Sequence, residues 1–460
     1  MSTDGDKRGA PATLLMLAFD FPPLATVGVH RSVRLARHLP EQGIRPVVIT
    51  TDRESLRLWS GRELDETLVD ELPPDLTVYR VPCPRPAGAR LRLARRLQHF
   101  FSSGEDIGRR WAPQLSAMWD RAVAEIKPSA LYVTAPPFSI VPYALTLARR
   151  SGLPLMIDFR DAWSQWCHSA NPSWWHYRAK LRAERACVEG AQAIVGVTRQ
   201  LLEDLRRVHP HVDASKFHAV PSGFDAANAA PASRDRASAT ASPFVIGYVG
   251  SFYYSPEMRA SVMERWWQKR PAHWLQYTPR QEDWLYRSPY FFFRALAHLF
   301  DQRPELRQQV RVRFVGDPQA WLDRQAADFG LQDVVEQLGR LPHAACLEFE
   351  SRCDALLATS MKVIGGRDYC IAGKTFEYLA AGRPILGIVT EGEQRDFLVS
   401  SGAAVVADAD DIAGSARAIE QIVTGRFVPA TSPAFLQGFH GRETSRRLAA
   451  LVRSVAHPRG

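Results

Sequence analysis

The sequence has no apolar run long enough to cross a membrane. Its longest, such as Leu14–Phe19 and Phe291–Phe293, fall far short of the roughly 20 residues a spanning helix needs. Cysteine is scarce and scattered: Cys83, Cys167, Cys187, Cys346, Cys353 and Cys370 show neither CxxC nor Cys/His spacing, which argues against a zinc module or a disulfide scaffold. Reduced, structural thiols are the simplest expectation. The polar stretch Met1–Pro11 has no apolar core of the kind a secretion leader carries, so the expected location is cytoplasmic. No short-period repeat of the solenoid type occurs. The first strand-to-helix turn has no GxGxxG, and Gly373-Lys374-Thr375 is no P-loop ending, because Asp368 stands where that motif needs glycine.

What is present is an ordinary globular composition, 46% hydrophobic and 23% charged, over 460 residues. That length is too great for one usual core and suits two α/β domains. The net charge of +9 comes from 58 Lys+Arg against 49 Asp+Glu. Such an excess suits a phosphorylated substrate or an anionic membrane surface. No aromatic-plus-basic signature accompanies it, so nucleic acid is not an expected partner.

Both halves alternate short β-branched runs with helical patterns, the mark of parallel sheets. The first half offers strands at Thr13–Phe19, Arg45–Thr50, Thr77–Val81, Ala130–Thr134, Pro154–Asp158 and Ala193–Val197. The second offers Phe244–Val249, Val310–Val315, Ala355–Thr359, Pro384–Ile388 and Ala404–Ala407. Between Asp225 and Ser242 nearly every residue is small or polar, a linker composition. The expected organisation is an N-terminal domain at 1–230, a linker at 231–242, a second domain at 243–430 and a closing helical segment at 431–460.

Two stretches break the rhythm. In Pro84–Ser103, Leu93, Leu97 and Phe100 share a helical face ringed by Arg92, Arg95, Arg96 and His99. This reads as a surface helix packed on the domain or as one resting on anionic headgroups. The second, Tyr253–Tyr290, carries Trp266, Trp267, Trp274 and Trp284. An insertion at the carboxyl end of a strand borders a ligand site or else packs on its own tryptophans.

Five motifs stand at strand ends. Phe21-Pro22-Pro23 leads to Gly28 and a helix, where backbone N–H groups can meet an anion. Asp158-Phe159-Arg160-Asp161-Ala162-Trp163 sets two carboxylates and a guanidinium at a sheet rim. There Arg160 can meet phosphate charge and Asp161 can orient or deprotonate a hydroxyl, or the group simply forms an ion pair that shapes the loop. Val220–Asp225 reads only as a turn. Gly250-Ser251 ends a strand with residues small enough to admit phosphate, or to make a turn. Most specific is Ala372–Ile385, AGKTFEYLAAGRPI. Lys374 opens a helix and Glu377 follows one turn later, a pairing that fits a diphosphate and a ribose and equally an ordinary surface ion pair.

With these pieces in order, the chain resembles the GT-B glycosyltransferases, specifically the glycosyltransferase family 4-like proteins of bacterial surface-polysaccharide synthesis. FPPLATVGVHRSVRLARHL, DFRDAW, VPSGFD, GYVGSFY, VRFVGDP and GKTFEYLAAGRPIL carry the likeness, from about Leu14 to Val452. It implies two facing Rossmann-like domains, a nucleotide-sugar donor held mainly by the C-terminal one, and a closing helix that returns to the N-terminal domain. Glu377 matches the family's ribose-binding glutamate. Gly250, Ser251 and Lys374, with Thr375 beside it, fall where the donor diphosphate is met. Gly28 matches the glycine loop near the reacting centre, and Asp161 lies on the acceptor side. One departure is clear: the family's pattern has a second glutamate eight positions before the first, and here Tyr369 stands there.

The resemblance implies retention of anomeric configuration, with no cofactor beyond the donor itself and no obligatory metal. The one DxD-like pair, Asp408-Ala409-Asp410, follows the last strand rather than a nucleotide-sugar loop. With the basic helix, the resemblance also points to a lipid-linked saccharide acceptor and a peripheral place on the inner membrane face. A nucleotide-sugar epimerase on the same scaffold and a non-catalytic nucleotide-sugar-binding protein are the alternatives.

Overall fold

A computed structural model describes residues 12–24, 26–61, 64–84, 107–225 and 243–456. The basic segment at Pro84–Ser103 lies almost wholly outside these, as does most of the linker composition. The first lobe is a seven-stranded sheet, ordered β3-β2-β1-β4-β5-β6-β7. Its strands are β1 (Ala12–Leu17), β2 (Ile44–Thr51), β3 (Thr77–Val81), β4 (Ala130–Ala135), β5 (Leu155–Phe159), β6 (Ala193–Gly196) and β7 (Phe217–Ala219). All its pairings are parallel.

The second lobe is a six-stranded parallel sheet, ordered β11-β10-β8-β12-β14-β15. It consists of β8 (Phe244–Val249), β10 (Val310–Val315), β11 (Val335–Gly339), β12 (Ala355–Thr359), β14 (Ile385–Val389) and β15 (Ala404–Asp408). Two short strands within it, β9 (Glu282–Asp283) and β13 (Lys362–Val363), form a separate antiparallel pair. The fold is thus α/β and GT-B, two Rossmann-like lobes with parallel sheets.

Strand order reverses between β1 and β4 in one sheet and between β8 and β12 in the other. Helix-connected sheets leave a crevice beyond the carboxyl ends at such a reversal. The glycine motifs after β1 and β8 therefore both open onto a crevice.

Alternation along the strands sorts the core. Leu15, Leu17, Leu131, Val133 and Ile157 pack on one side of the first sheet with Trp111 and Trp119. Leu14, Met16, Tyr132 and Met156 point to the other, as period-two side chains must. That second side is closed by Leu448, Ala449 and Val452 from the final helix, Gly441–Ala456. The chain crosses back where Phe224 and Phe439 meet: Phe224 N donates to Phe439 O at 3.0 Å, and Gly441 N to Phe224 O at 2.8 Å. Leu448 is fully buried, so Leu448→Ala should cost about 2–5 kcal/mol. Thermal unfolding would register this as a drop in Tm; an unchanged Tm would mean the helix contributes little.

Apolar contacts also join the lobes, since Trp284, Met361, Val363 and Tyr369 belong to the core cluster of the first sheet. Polar ties add direction. Thr198 Oγ1 donates to Tyr369 O at 2.6 Å, and Arg280 bridges Asp204 at 2.8 Å and Glu282 at 2.7 Å.

Candidate active site between the lobes

The first lobe's wall begins at the helix Val27–His38, which follows β1 after Pro22-Pro23. Its position is set by Asp158 on β5. This fully buried carboxylate takes Arg31 Nε and Nη2 at 2.9 and 2.8 Å and the Thr134 hydroxyl at 3.0 Å. Burial works against the charge on Arg31, and the paired carboxylate more than restores it, raising its pKa. Arg31 also donates to Pro221 O at 2.9 Å, so the turn at 220–225 is clamped to the same helix. Asp158, expected at the reactive rim, is a structural clamp instead.

Arg160 and Gly28 are in direct contact. The guanidinium fills the space that a Cβ on Gly28 would occupy, and its Nη2 donates to Pro136 O. Gly28 is required by this close approach, not by an unusual backbone angle. Arg160 Nε has no hydrogen-bond partner among the described residues. Asp161 is half-buried beside it; burial raises its pKa, while the charges of Arg160 and Arg287 pull it down.

On the second lobe, β8 ends at Gly250, whose φ of 104° favours glycine. Gly250 N donates to Val315 O at 2.7 Å, and a Cβ on Gly316 would sit 2.7 Å from Gly250 O. The loops after β8 and β10 thus touch through glycines. Ser251 Oγ is 3.4 Å from Asp317 Oδ2. Beneath the loop lies Lys374, at the start of the helix Gly373–Ala380. Its Nζ is 3.5 Å from the centre of the Tyr248 ring and would be 3.1 Å from a Cβ on Gly250. That Nζ is buried and unpartnered among the described residues. Burial, aided by the nearby charge of Arg287, lowers its pKa well below the ordinary value.

Glu377 projects one turn further along, its side chain only 20% exposed, with Oε1 4.0 Å from Arg34 Nη2 across the cleft. His30, one turn before Arg34, lies 4.5 Å ring to ring from His343 on the facing lobe. Burial, with smaller contributions from His343 and Arg34, lowers the His30 pKa well below normal. Lys374 and Glu377 therefore lie in the crevice, opposite the helix that carries Gly28.

Thr375 does not join them. It is fully buried, its hydroxyl accepts from Gln394 Nε2 at 2.9 Å and its N–H donates to Ala372 O at 2.9 Å. The donor role expected for its side chain gives way to tying this helix to its neighbour Glu393–Ser401.

Several polar residues here were not singled out from sequence. Glu350 on the helix His343–Arg352 is fully buried, and neither carboxyl oxygen has a partner among the described residues. Burial, and then the charge of Glu377, push its pKa up to about 9. Asp368 is also fully buried; burial raises it to about 7 against the pull of Arg287. Its Oδ1 accepts from Cys370 N at 2.9 Å and its Oδ2 is unpartnered among the described residues. Tyr369 is buried with the Arg280 guanidinium 4.4 Å over its ring.

Arg287 comes from the insertion. Its charge reaches Asp161, Asp368 and Lys374. The insertion itself straps the seam: Asn171 and Tyr277 exchange backbone hydrogen bonds of 2.9 and 3.0 Å, and His168 Nε2 lies 2.9 Å from Tyr253 O. Only one of its four tryptophans, Trp284, is buried, so it is not an excursion that buries its own tryptophans. Asp410, of the DxD-like pair, is held by Lys362 and by Tyr286 Oη at 2.6 Å.

Residues 28–223 match the family described as "Glycosyl transferase 4-like domain". No curated protein sequence matches the chain. Among solved structures, HepE of Anabaena in complex with UDP and glucose is 15% identical, with a TM-score of 0.58, over 96% of this chain and 100% of that one. The lipopolysaccharide outer core galactosyltransferase WaaB is 12% identical with a TM-score of 0.53, covering 96% and 99% of the two chains. Sucrose-phosphate synthase of Thermosynechococcus elongatus is 13% identical with a TM-score of 0.55, covering 97% and 96%. Residues 28–223 are thus similar to a glycosyl transferase 4-like domain, in a chain whose fold is GT-B.

Proposed function

We propose that the protein transfers a glycosyl group from a nucleoside diphosphate sugar to a hydroxyl acceptor, with retention and without an obligatory metal. The carrying observation is the convergence of a glycine loop, a buried lysine and a cleft-facing glutamate at the second sheet's strand reversal, opposite Gly28 and Arg160. UDP-glucose in HepE, which shares the fold, supports the donor class. Glu377 takes the donor ribose; Gly250, Ser251 and Lys374 take the diphosphate. Charge developing on the leaving group is met by Lys374, helix N–H groups, Arg160 and Arg287, fixed in a site shielded from water. Asp161 orients the acceptor hydroxyl. The acceptor we favour is a lipid-linked saccharide at the inner membrane face.

A thermal-shift screen of nucleotide sugars tests the donor, since a ligand of the native state alone raises Tm. Product analysis of the stabilising donor, with and without acceptors, tests the reaction. A second reading has one supporting observation: UDP-GlcNAc 2-epimerase of Methanocaldococcus jannaschii shares the fold at a TM-score of 0.51. Epimer formation from donor alone would favour it over transfer. Binding without any turnover, unaffected by Asp161→Ala, would instead mark a non-catalytic binder.

Lys374 supplies a further expectation. A diphosphate placed on the Gly250 loop favours the protonated amine, so binding takes up a proton whenever the free lysine is neutral. With its pKa lowered well below the ordinary value, donor affinity should fall as pH rises towards that ordinary value. Calorimetry in buffers of different ionisation enthalpy would measure the uptake, and Lys374→Met should abolish it. Equal uptake in both proteins would remove Lys374 from the diphosphate site.

A further inference from the structure

Six large apolar side chains stand exposed on either side of the lobe seam. In the insertion they are Trp266, Trp267, Trp274 and Leu275; in the first lobe they are Trp174 and Trp175, which open the helix Trp174–Gly190. Exposure reaches 74% at Trp175, 62% at Trp266 and 57% at Trp267. Within each group the rings meet edge-on, at 5.9 Å for Trp266–Trp267, 6.3 Å for Trp266–Trp274 and 4.7 Å for Trp174–Trp175. The groups are neighbours. Tyr277, two residues beyond Leu275, pairs with Asn171 and packs its ring 4.9 Å from Tyr177. Tyr177 shares a helix face with Trp174, three positions earlier.

An exposed aromatic patch marks an interaction surface, and its charge identifies the partner. Segments 264–275 and 174–182 contain Arg265, Lys269, Arg270, Arg178, Lys180 and Arg182 against one acid, Glu264. Arg265 lies 5.2 Å over the Trp267 ring and Arg178 5.4 Å over Trp174. Tryptophan with interleaved lysine and arginine is the composition that settles at the boundary between headgroups and water. Basic side chains add attraction to anionic lipid that fades with salt. The loop leading to Trp174 also lines a hollow of about 600 Å³ with Trp166, His168 and Asn171.

We propose that this surface docks the protein on an anionic lipid bilayer, with the tryptophans at headgroup level and the cations on lipid phosphates. The docking would bring the mouth of that hollow to the membrane. It stands independently of glycosyl transfer, because it needs neither donor nor turnover, and its argument uses no residue of the basic stretch at 84–103.

Co-sedimentation of the full chain with phosphatidylcholine vesicles, with and without phosphatidylglycerol, tests the proposal. We expect binding to the anionic vesicles alone, weakening with salt, and quenching of tryptophan fluorescence by brominated lipid. W175S/W267S and R265E/R270E should each reduce affinity by about tenfold or more with Tm unchanged. Absence of wild-type binding or quenching would overturn the proposal. So would undiminished binding of the well-folded variants, which would move the contact elsewhere. A wild-type dimer broken by W175S/W267S, with no vesicle binding, would assign the surface to a second copy instead. Should the variants fail to fold, quenching in the wild type decides.

Discussion

Glu377→Ala is expected to weaken nucleotide-sugar binding about a hundredfold while the fold survives. A carboxylate receiving both ribose hydroxyls makes two charge-assisted hydrogen bonds, each contributing about 1.5–3 kcal/mol. Losing about 3 kcal/mol of that total corresponds to roughly two orders of magnitude in Kd. The side chain is partly exposed; its removal takes one counter-charge from the buried Arg34, 4.0 Å away, which keeps the charges of Asp225 and Glu71 nearby. Calorimetric titration with the most stabilising nucleotide sugar is the measurement. Glu377→Gln, which keeps one acceptor oxygen, should fall between. Undiminished affinity in Glu377→Ala would take the ribose away from this residue, whatever the reaction proves to be.

The second large effect concerns stability. Glu350 is an acid whose pKa in the fold, about 9, lies above its ordinary 4.5. Between those values the folded protein keeps a proton that the unfolded chain has released. Stability from this group is therefore full below about pH 4.5 and declines as pH rises towards 9. At pH 7 the loss is about 3 kcal/mol. Glu350→Gln removes the titration. Its Tm should lie near that of the wild type at pH 5 and roughly 5 °C or more above it at pH 8. Parallel Tm curves across that range would show that Glu350 is not held neutral. A neutral acid here leaves Glu377 as the carboxylate charge acting on Lys374, in a site that a diphosphate would neutralise further.

Much of the fold was legible because parallel strands are buried on both faces and read as continuous apolar runs. Thr77–Val81, Phe244–Val249, Val310–Val315 and Ala355–Thr359 have the bounds read from sequence. Phe217–Ala219 and Val335–Gly339 were missed. Both lie at sheet edges, with side chains mostly exposed or half-buried, so no apolar run announces them.

The site divides along similar lines. Gly250, Lys374 and Glu377 were readable since each belongs to a short local motif at a strand end or helix start. Arg34, Glu350, Asp368 and Arg287 were not, because their proximity is created by packing between elements distant in sequence. His30 and Arg34 did leave a trace: they lie one turn apart on the helix Val27–His38, about 100° round from the buried Val29 and Val33. Within DFRDAW the sequence shows two carboxylates and a guanidinium but not the division of labour, since Arg31, the partner that engages Asp158, comes from the helix Val27–His38.

The return of the final helix to the first sheet has a consequence for how the protein is made. During synthesis the ribosome delivers Leu14, Met16, Tyr132 and Met156 hundreds of residues before Leu448 and Val452, which cover them. The first lobe cannot complete its interior until the second has been translated. A fragment ending before Gly441 would leave part of one side of the first sheet uncovered beside Leu35 and Leu39, an aggregation hazard. The lobes are separate in architecture but not in assembly.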